Sequence, residues 1–306
     1  MDLGIVIVNW NTRDLLRRCL TTVYASSGDI RYRVVVVDNG SDDASAEMVA
    51  AEFPQAALIS GHGNVGYPQG NNLGLRALGF PGGAEGPRGP RYALLLNPDT
   101  ELPADALCRA VRYMDEHPEI GVLGPRLVLP DGSLDLACRR SFPSPTVSMW
   151  RMLQLSRLFP RSRVFGQYNL TYLDDRETAE VDSVVGAFML VRREAIEKVG
   201  LLDEQFFMYG EDLDWAKRIK EAGWKIIYYP EIEVLHVKRA ASRQSKRAQF
   251  EFVRAMLLFY NKHYRASTGP LMHTAVLAGL ALRGGPRLWP ELSGRAGAKH
   301  GSVQGG

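Results

Sequence analysis

The sequence predicts an α/β fold, a mostly parallel central sheet flanked by helices. Residues 3–8 (LGIVIV), 33–37 (RVVVV) and 92–96 (YALLL) are apolar runs with almost no polar alternation, as strands covered on both faces require. Segments with helical spacing of apolar residues lie between them, the alternation that builds a layered α/β domain. The 306 residues are 45% hydrophobic and 23% charged, a balance that excludes a disordered, fibrous or multi-span membrane chain. Cys19, Cys108 and Cys138 lie far apart with no CxxC pair. That argues against a disulfide framework or a cysteine-built zinc site, and for a reducing compartment. MDLGIVIVNW lacks a basic n-region and a cleavage site, so no signal peptide is expected.

After the first strand, Thr12–Ala25 places Leu15, Leu16, Cys19, Leu20 and Val23 at helical spacing, with Thr12 as the expected N-cap. A helix over 44–53, a strand AALIS (56–60) and a helix from about Gly70 to Leu78 follow. GGAEGPRGP (82–90) is a Gly/Pro loop before YALLL. Beyond Asp99 the sequence predicts a helix over 104–117, a strand near 121–128 and a turn at PDGS (130–133). Residues 139–180 lack strand logic but contain TVSMWRMLQLSRLF (146–159), apolar over a wide arc and flanked by Arg151, Arg157, Arg161 and Arg163. VVGAFMLV (184–191) and WKIIYY (224–229) read as strands, with a helix from Arg193 between them. Ser245–Tyr264 reads as a basic amphipathic helix. LMHTAVLAGLAL (271–282) is apolar but too short for a bilayer, which needs about 20 residues. The Gly-rich residues 286–306 are expected to be disordered.

Charge is distributed unevenly. From Lys238 onward twelve Lys and Arg face two Glu, a charge of +10 within a whole-chain +3, which leaves −7 on residues 1–237. A basic tail on an acidic body points to an anionic partner, or else to a solvated helix face.

Open α/β sheets bind ligands at the carboxyl ends of their strands. There the sequence places Asn9, then Asp38-Asn39, then the loop Gly61–Asn72, then Asn97-Pro98-Asp99. GHGNVG (61–66) matches GxGxxG, but it follows the third strand, Pro68 interrupts the expected helix start, and Glu85 falls in a loop. Nicotinamide binding is therefore disfavoured, and no P-loop motif exists. A carboxylate such as Asp99 directly after a buried strand can hold a divalent cation that bridges phosphate oxygens, or can cap the helix near Pro103. Glu211 and Asp212 are adjacent, so repulsion can raise the pKa of one and fit it for general-base work; N-terminal helix capping is the alternative. His236 ends the strand-like EIEVLHV and is either a metal ligand beside carboxylates or a packed residue.

Taken in order, IVIVNWN (5–11), VVVVDNGSDD (34–43), GNVGYPQGNNLG (63–74), LLLNPDT (94–100), VGAFMLVRR (185–193) and DEQFFMYGEDLDWAKRIKEAGWKIIYYPE (203–231) resemble family 2 glycosyltransferases of the GT-A fold. The NPDT form and the long middle insertion look most like bacterial rhamnosyltransferase-type members that build cell-surface polysaccharide. The resemblance implies a catalytic domain over 1–238, with a nucleotide-binding half (1–100) and an acceptor half (101–238) that carries the insertion 139–180. Basic amphipathic helices would follow over 239–285. It implies a uridine or thymidine diphosphate sugar as donor, with Asp38 on the pyrimidine. Asn72 and the loop around Gly66 and Gly70 would close over the base, and Asn9, Asn39 and Asn97 would complete the donor site. Asp99 matches the last acid of the family's DxD metal motif, whose first acid is replaced here by Asn97. His236 matches a histidine that completes the Mg or Mn shell in some members. Asp212 matches the catalytic base of an inverting displacement, with Glu211 as its neighbour. If the acceptor is a lipid-linked saccharide, the basic segments and the Trp150 helix fit an anionic membrane surface. The expected location is cytoplasmic, peripheral on the inner face of the cell membrane. A sugar-nucleotide nucleotidyltransferase would need a glycine-rich loop after the first strand, which NWNTRD does not provide. A nucleic-acid binder would interleave basic and stacking residues on a defined motif, and none is found.

Overall fold

The computed structural model describes residues 1–81, 89–238 and 246–292. Residues 82–88 of the expected Gly/Pro loop, residues 239–245 and residues 293–306 of the expected tail lie outside these. The sheet has nine strands among the described residues: β1 (Leu3–Asn9), β2 (Tyr32–Asp38), β3 (Ala57–Ile59), β4 (Tyr92–Leu96), β5 (Thr100–Glu101), β6 (Ile120–Val128), β7 (Ala179–Glu180), β8 (Phe188–Arg192) and β9 (Lys225–His236). Their order is β3-β2-β1-β4-β8-β6-β9-β5, with β7 also on β9. The first half, β3-β2-β1-β4, is parallel throughout. β8 runs antiparallel between β4 and β6, and β6 and β9 are again parallel.

Every residue of β1 and β4 is buried, which explains why neither alternates. Helix α3 (Tyr67–Ala77) lies on the face that carries Val6 and Val8, and it lies close. A Cβ at Gly74 would sit 2.4 Å from Val6 Cγ1, and one at Gly70 would sit 2.9 Å from Val8 Cγ1. Ile5 and Ile7 point the other way and are equally buried, so the opposite face is covered too. Pro68 does not interrupt α3 but stands in its first turn, where its missing N–H has no helical partner to lose.

The remaining helices are α1 (Arg13–Tyr24), α2 (Ser45–Glu52), α4 (Ala106–Glu116), α5 (Pro145–Met152), α6 (Leu155–Leu158), α7 (Arg193–Val199), α8 (Glu211–Glu221), α9 (Lys246–His263), α10 (Pro270–Gly284) and α11 (Trp289–Leu292). The apolar segment 146–159 is not one helix: Gln154 adopts φ +57°, which separates α5 from α6. Residues 286–292, expected to be disordered, form a 3₁₀ turn (Pro286–Leu288) and α11, because Leu288 is fully buried against Val253, Leu257 and Leu280. Helix α9 packs on the body through Ala255 and Phe259 against Phe206 and Leu213.

Candidate active site

The parallel register sets Asn9, at the end of β1, directly beside Asp38, at the end of β2. Both are buried. Asn9 Nδ2 donates to Asp38 Oδ1 (2.9 Å) and to Ser41 Oγ (3.0 Å). Ser41 donates its hydroxyl to Asp38 Oδ1 (2.6 Å) and its backbone N–H to Oδ2 (2.9 Å). Thr12 stands at the N-cap of α1 as expected, but its hydroxyl makes no cap bond; it donates to Asn9 Oδ1 at 2.6 Å and fixes that amide's orientation. Of the four lone-pair positions on Asp38, three are taken, and one on Oδ2 is left for a further donor.

The loop before α3 is held over these strand ends. Asn39 Nδ2 donates to the Gly66 carbonyl (3.0 Å), and Asn39 Oδ1 lies 3.2 Å from His62 Nε2. Gly66 has φ +92°, and a Cβ there would lie 2.6 Å from the Phe207 carbonyl oxygen, so only glycine fits this crossing. The Tyr67 N–H then donates to that same carbonyl at 2.8 Å. Asn72 is engaged elsewhere than expected. Its Nδ2 donates to Leu202 O (2.9 Å) and Glu204 Oε1 (2.8 Å), and its Oδ1 accepts from Leu202 N (3.1 Å). With both N–H donors spent, Asn72 anchors the 202–204 segment rather than reaching the cleft.

Tyr67 is the hub that the sequence did not single out. Its hydroxyl lies 3.0 Å from Asn97 Oδ1 and 2.9 Å from the Gly186 carbonyl. Burial above all pushes its phenol far up, so it stays a protonated donor. Gly186 in turn donates its N–H to Asp212 Oδ2 at 3.1 Å. A continuous chain of contacts thus links Asp38 to Asp212: through Asn39 and Gly66 to Tyr67, from Tyr67 to Asn97 and Gly186, and from Gly186 to Asp212.

Asp212 occupies the second position of α8, behind Gly210 at φ +80°. Its Oδ2 accepts from Arg140 Nη2 at 2.7 Å, both side chains being almost fully buried, and its Oδ1 accepts from Leu213 N at 2.7 Å. Arg140 also donates to the Val184 carbonyl (2.8 Å). Burial works against its charge, but the Asp212 carboxylate outweighs that and holds the guanidinium ionised. Glu211, beside Asp212, has no partner for its buried Oε2. Desolvation first, then the Asp212 charge, push its carboxyl well up, which favours its protonated form. The two adjacent acids therefore differ in their surroundings: Arg140 pairs with Asp212, and burial favours the protonated form of Glu211.

Asp99 does not cap a helix: α4 begins at Ala106, with Asp105 at its N-cap. Instead Asp99 Oδ1 faces His236 Nε2 at 3.3 Å, because β5 pairs Thr100 with His236. Asp135 Oδ2 fixes the other ring nitrogen at 2.9 Å, and Asp135 Oδ1 accepts from Lys238 Nζ at 2.5 Å. Burial lowers the His236 pKa, but the hydrogen bonds and charges of Asp135 and Asp99 outweigh it and leave it raised. The pair fits a divalent cation, since adjacent ligands of an octahedral ion lie roughly 3 Å apart and a carboxylate behind the imidazole is the usual orienting partner. Among the described residues no three His, Cys, Asp or Glu side chains form a ready-made metal cluster. Asn97 turns its oxygen to Tyr67 rather than to this pair.

The family description "Glycosyltransferase like family 2" matches residues 2–254. The chain belongs to this family. It is a glycosyltransferase, and its α/β sheet is the GT-A fold. The transferase is 30% identical over 238 residues to an N-acetylglucosaminyl-diphospho-decaprenol L-rhamnosyltransferase of Mycobacterium tuberculosis, which covers 77% of this chain and 76% of the relative. It is 25% identical over 237 residues to the rhamnosyltransferase WbbL of Escherichia coli, covering 76% and 82%. A mannosyltransferase of Pyrobaculum calidifontis, solved with GDP-mannose and Mn²⁺, superposes with a TM-score of 0.56 at 17% identity over 98% of this chain and 76% of that one.

Proposed function

We propose that this glycosyltransferase is inverting. It moves a sugar, rhamnose by the two rhamnosyltransferases it resembles, from a uridine or thymidine diphosphate donor to a saccharide on a lipid diphosphate, in cell-surface polysaccharide synthesis. The observation that carries this reading is the contact chain that joins Asp38, at the strand ends, to Asp212 in its pair with Arg140. Asp38 keeps one acceptor position for a pyrimidine N–H, and Asn9, Asn39, Gly66 and Gly70 hold the wall beside it. Asn97 can meet the donor's ribose through its amide N–H, since its oxygen serves Tyr67.

Asp212 is the base. Arg140 and the two backbone N–H groups hold its carboxylate aimed, so it can accept the proton of the acceptor hydroxyl as that oxygen attacks the anomeric carbon. Glu211, neutral, can donate a hydrogen bond to an acceptor or sugar oxygen without repelling the departing diphosphate. Asp99 and His236 would hold a Mg or Mn ion, with the donor's phosphates completing its ligands. When bound, that ion neutralises charge developing on the leaving diphosphate.

The alternative of a sugar-nucleotide nucleotidyltransferase is disfavoured by the start of the chain, where Asn9 is tied to Asp38 and no glycine-rich phosphate loop follows β1. The basic tail and the apolar helices support work at an anionic membrane surface on the cytoplasmic side. Asp212→Asn tests the central claim. Turnover is expected to fall by roughly 10²–10⁴, the usual worth of a general base. Calorimetry should find binding of the nucleoside diphosphate within about twofold of the parent. Retained turnover would remove Asp212 from the role.

A further inference from the structure

An apolar cavity lies not at the strand ends but beside the base. It measures about 230 Å³ and lies between α5, α9 and α10. Gly210 and Leu213, which bracket Glu211 and Asp212, are among its lining residues. Its walls carry four methionines (149, 152, 256 and 272) with Phe252 and Phe259. Methionine-rich walls adapt to a flexible apolar occupant better than branched side chains do.

Two cations and no anion complete the lining. Arg151 and Arg283 are the charged residues on it, both are exposed, and neither has a carboxylate partner among the described residues. Arg151 is steadied by the Tyr168 ring, 4.2 Å from its guanidinium carbon. Leu153, Leu271 and Leu282, each next in sequence to a lining residue, are all more than half exposed. An apolar interior, unpaired guanidinium groups and a start beside the catalytic acids define a complementary ligand: a long hydrocarbon chain ending in a diphosphate.

We infer that this cavity holds the first part of the isoprenoid chain of a lipid-diphosphate acceptor, with Arg151 and Arg283 on its diphosphate and its saccharide passing Gly210 toward Asp212. The inference rests on the lipid-linked acceptor proposed above and deepens it. At about 230 Å³ the cavity is smaller than the roughly 300–1,000 Å³ of a site that encloses a whole small molecule. It therefore grips a short stretch of chain and leaves the rest to the surrounding apolar surface.

The test uses the full chain and two probes, a fifteen-carbon isoprenyl diphosphate below its micelle concentration and methyl diphosphate, each titrated against the protein. The parent should bind the long-chain probe at least tenfold more tightly than the short one. Ala275→Trp fills the cavity from an exposed helical position, so folding is spared. It should abolish that preference while the affinity for UDP stays unchanged. Gly279→Leu is the second variant, since its new side chain meets only the flexible Met152 end. Arg151→Ser with Arg283→Ser should weaken both probes together and leave the chain preference. A parent with no chain preference, or a preference kept by both filled variants, overturns the inference. So does association only with phosphatidylglycerol vesicles, indifferent to Ala275→Trp, which would mean bilayer contact alone. Because no transfer is measured, the outcome is separate from that of Asp212→Asn. Transfer to a soluble saccharide without any chain preference sinks the cavity and spares the transferase reading; chain preference without transfer to any acceptor does the reverse.

Discussion

Arg140 reaches Asp212 across 72 residues of sequence, and the pair is buried, so its two members cannot be judged separately. Removing one partner of a buried ion pair leaves a charge with neither water nor counterion, which costs about 3–5 kcal/mol. Arg140→Ala should therefore lower stability by about that amount in urea titrations and also lower kcat. Adding Asp212→Asn to it removes the stranded charge. The double variant should regain part of the stability and none of the activity, a split that a purely structural arginine would not produce. At the other end of the contact chain, Asp99→Ala leaves His236 with Asp135 alone. Calorimetry with UDP should then lose any gain in affinity that Mn²⁺ gives the parent, while affinity without metal changes little. If Mn²⁺ strengthens UDP binding equally in both proteins, Asp99 is not its ligand.

The element that presents the base, α8, is tied to the C-terminal helices by a second acid. Asp214 is fully buried and accepts from His263 of α9 at 2.7 Å, from Arg218 at 2.9 Å and from Lys262 at 2.8 Å. Burial raises its pKa, but the bonds from His263 and Lys262 and the charge of Arg218 more than reverse this and bring it to about 2, against an unfolded value of 3.8. A depressed carboxylate stabilises the folded state above the unfolded pKa, and the benefit is lost as pH falls through the folded one. The shift corresponds to about 2 kcal/mol, present near neutrality and lost between about pH 4 and about pH 2. Asp214→Asn should be less stable than the parent by at least about that amount near neutrality, and urea titrations at falling pH should see the gap close. At this scale much was legible from sequence. β1, β2 and β4 are continuous apolar runs, and their polar ends Asn9, Asp38 and Asp99 follow directly. β5 and β7 have two residues each and exist only through pairing with β9, which no local pattern encodes. Tyr67 and Arg140 were missed for the same reason: their significance is a contact made 30 and 72 residues away.

For the molecule as a whole, the sheet collects the chemistry at one edge while the C-terminal half supplies an apolar, basic flank. On α10, Leu271 and Leu282 are each 88% exposed and eleven residues apart, three helical turns, so they share one side. Ala275 and Ala278 lie exposed between them, without a charge on that stripe. No helix among the described residues is long and apolar enough to cross a membrane. An exposed apolar stripe beside unpaired arginines is instead the pattern of a segment lying in a bilayer interface, where each basic residue near an anionic surface adds about 1 kcal/mol. The parent should co-float with phosphatidylglycerol vesicles at low ionic strength and be largely released near about 0.5 M salt, where the Debye length falls well below 10 Å. Leu271→Asp with Leu282→Asp touches no buried contact, so UDP affinity should hold while vesicle binding falls at least tenfold. Protein that stays in the aqueous fraction at low salt would leave the basic flank as a solvated surface and remove the membrane from the account, with the chemistry at the strand ends untouched.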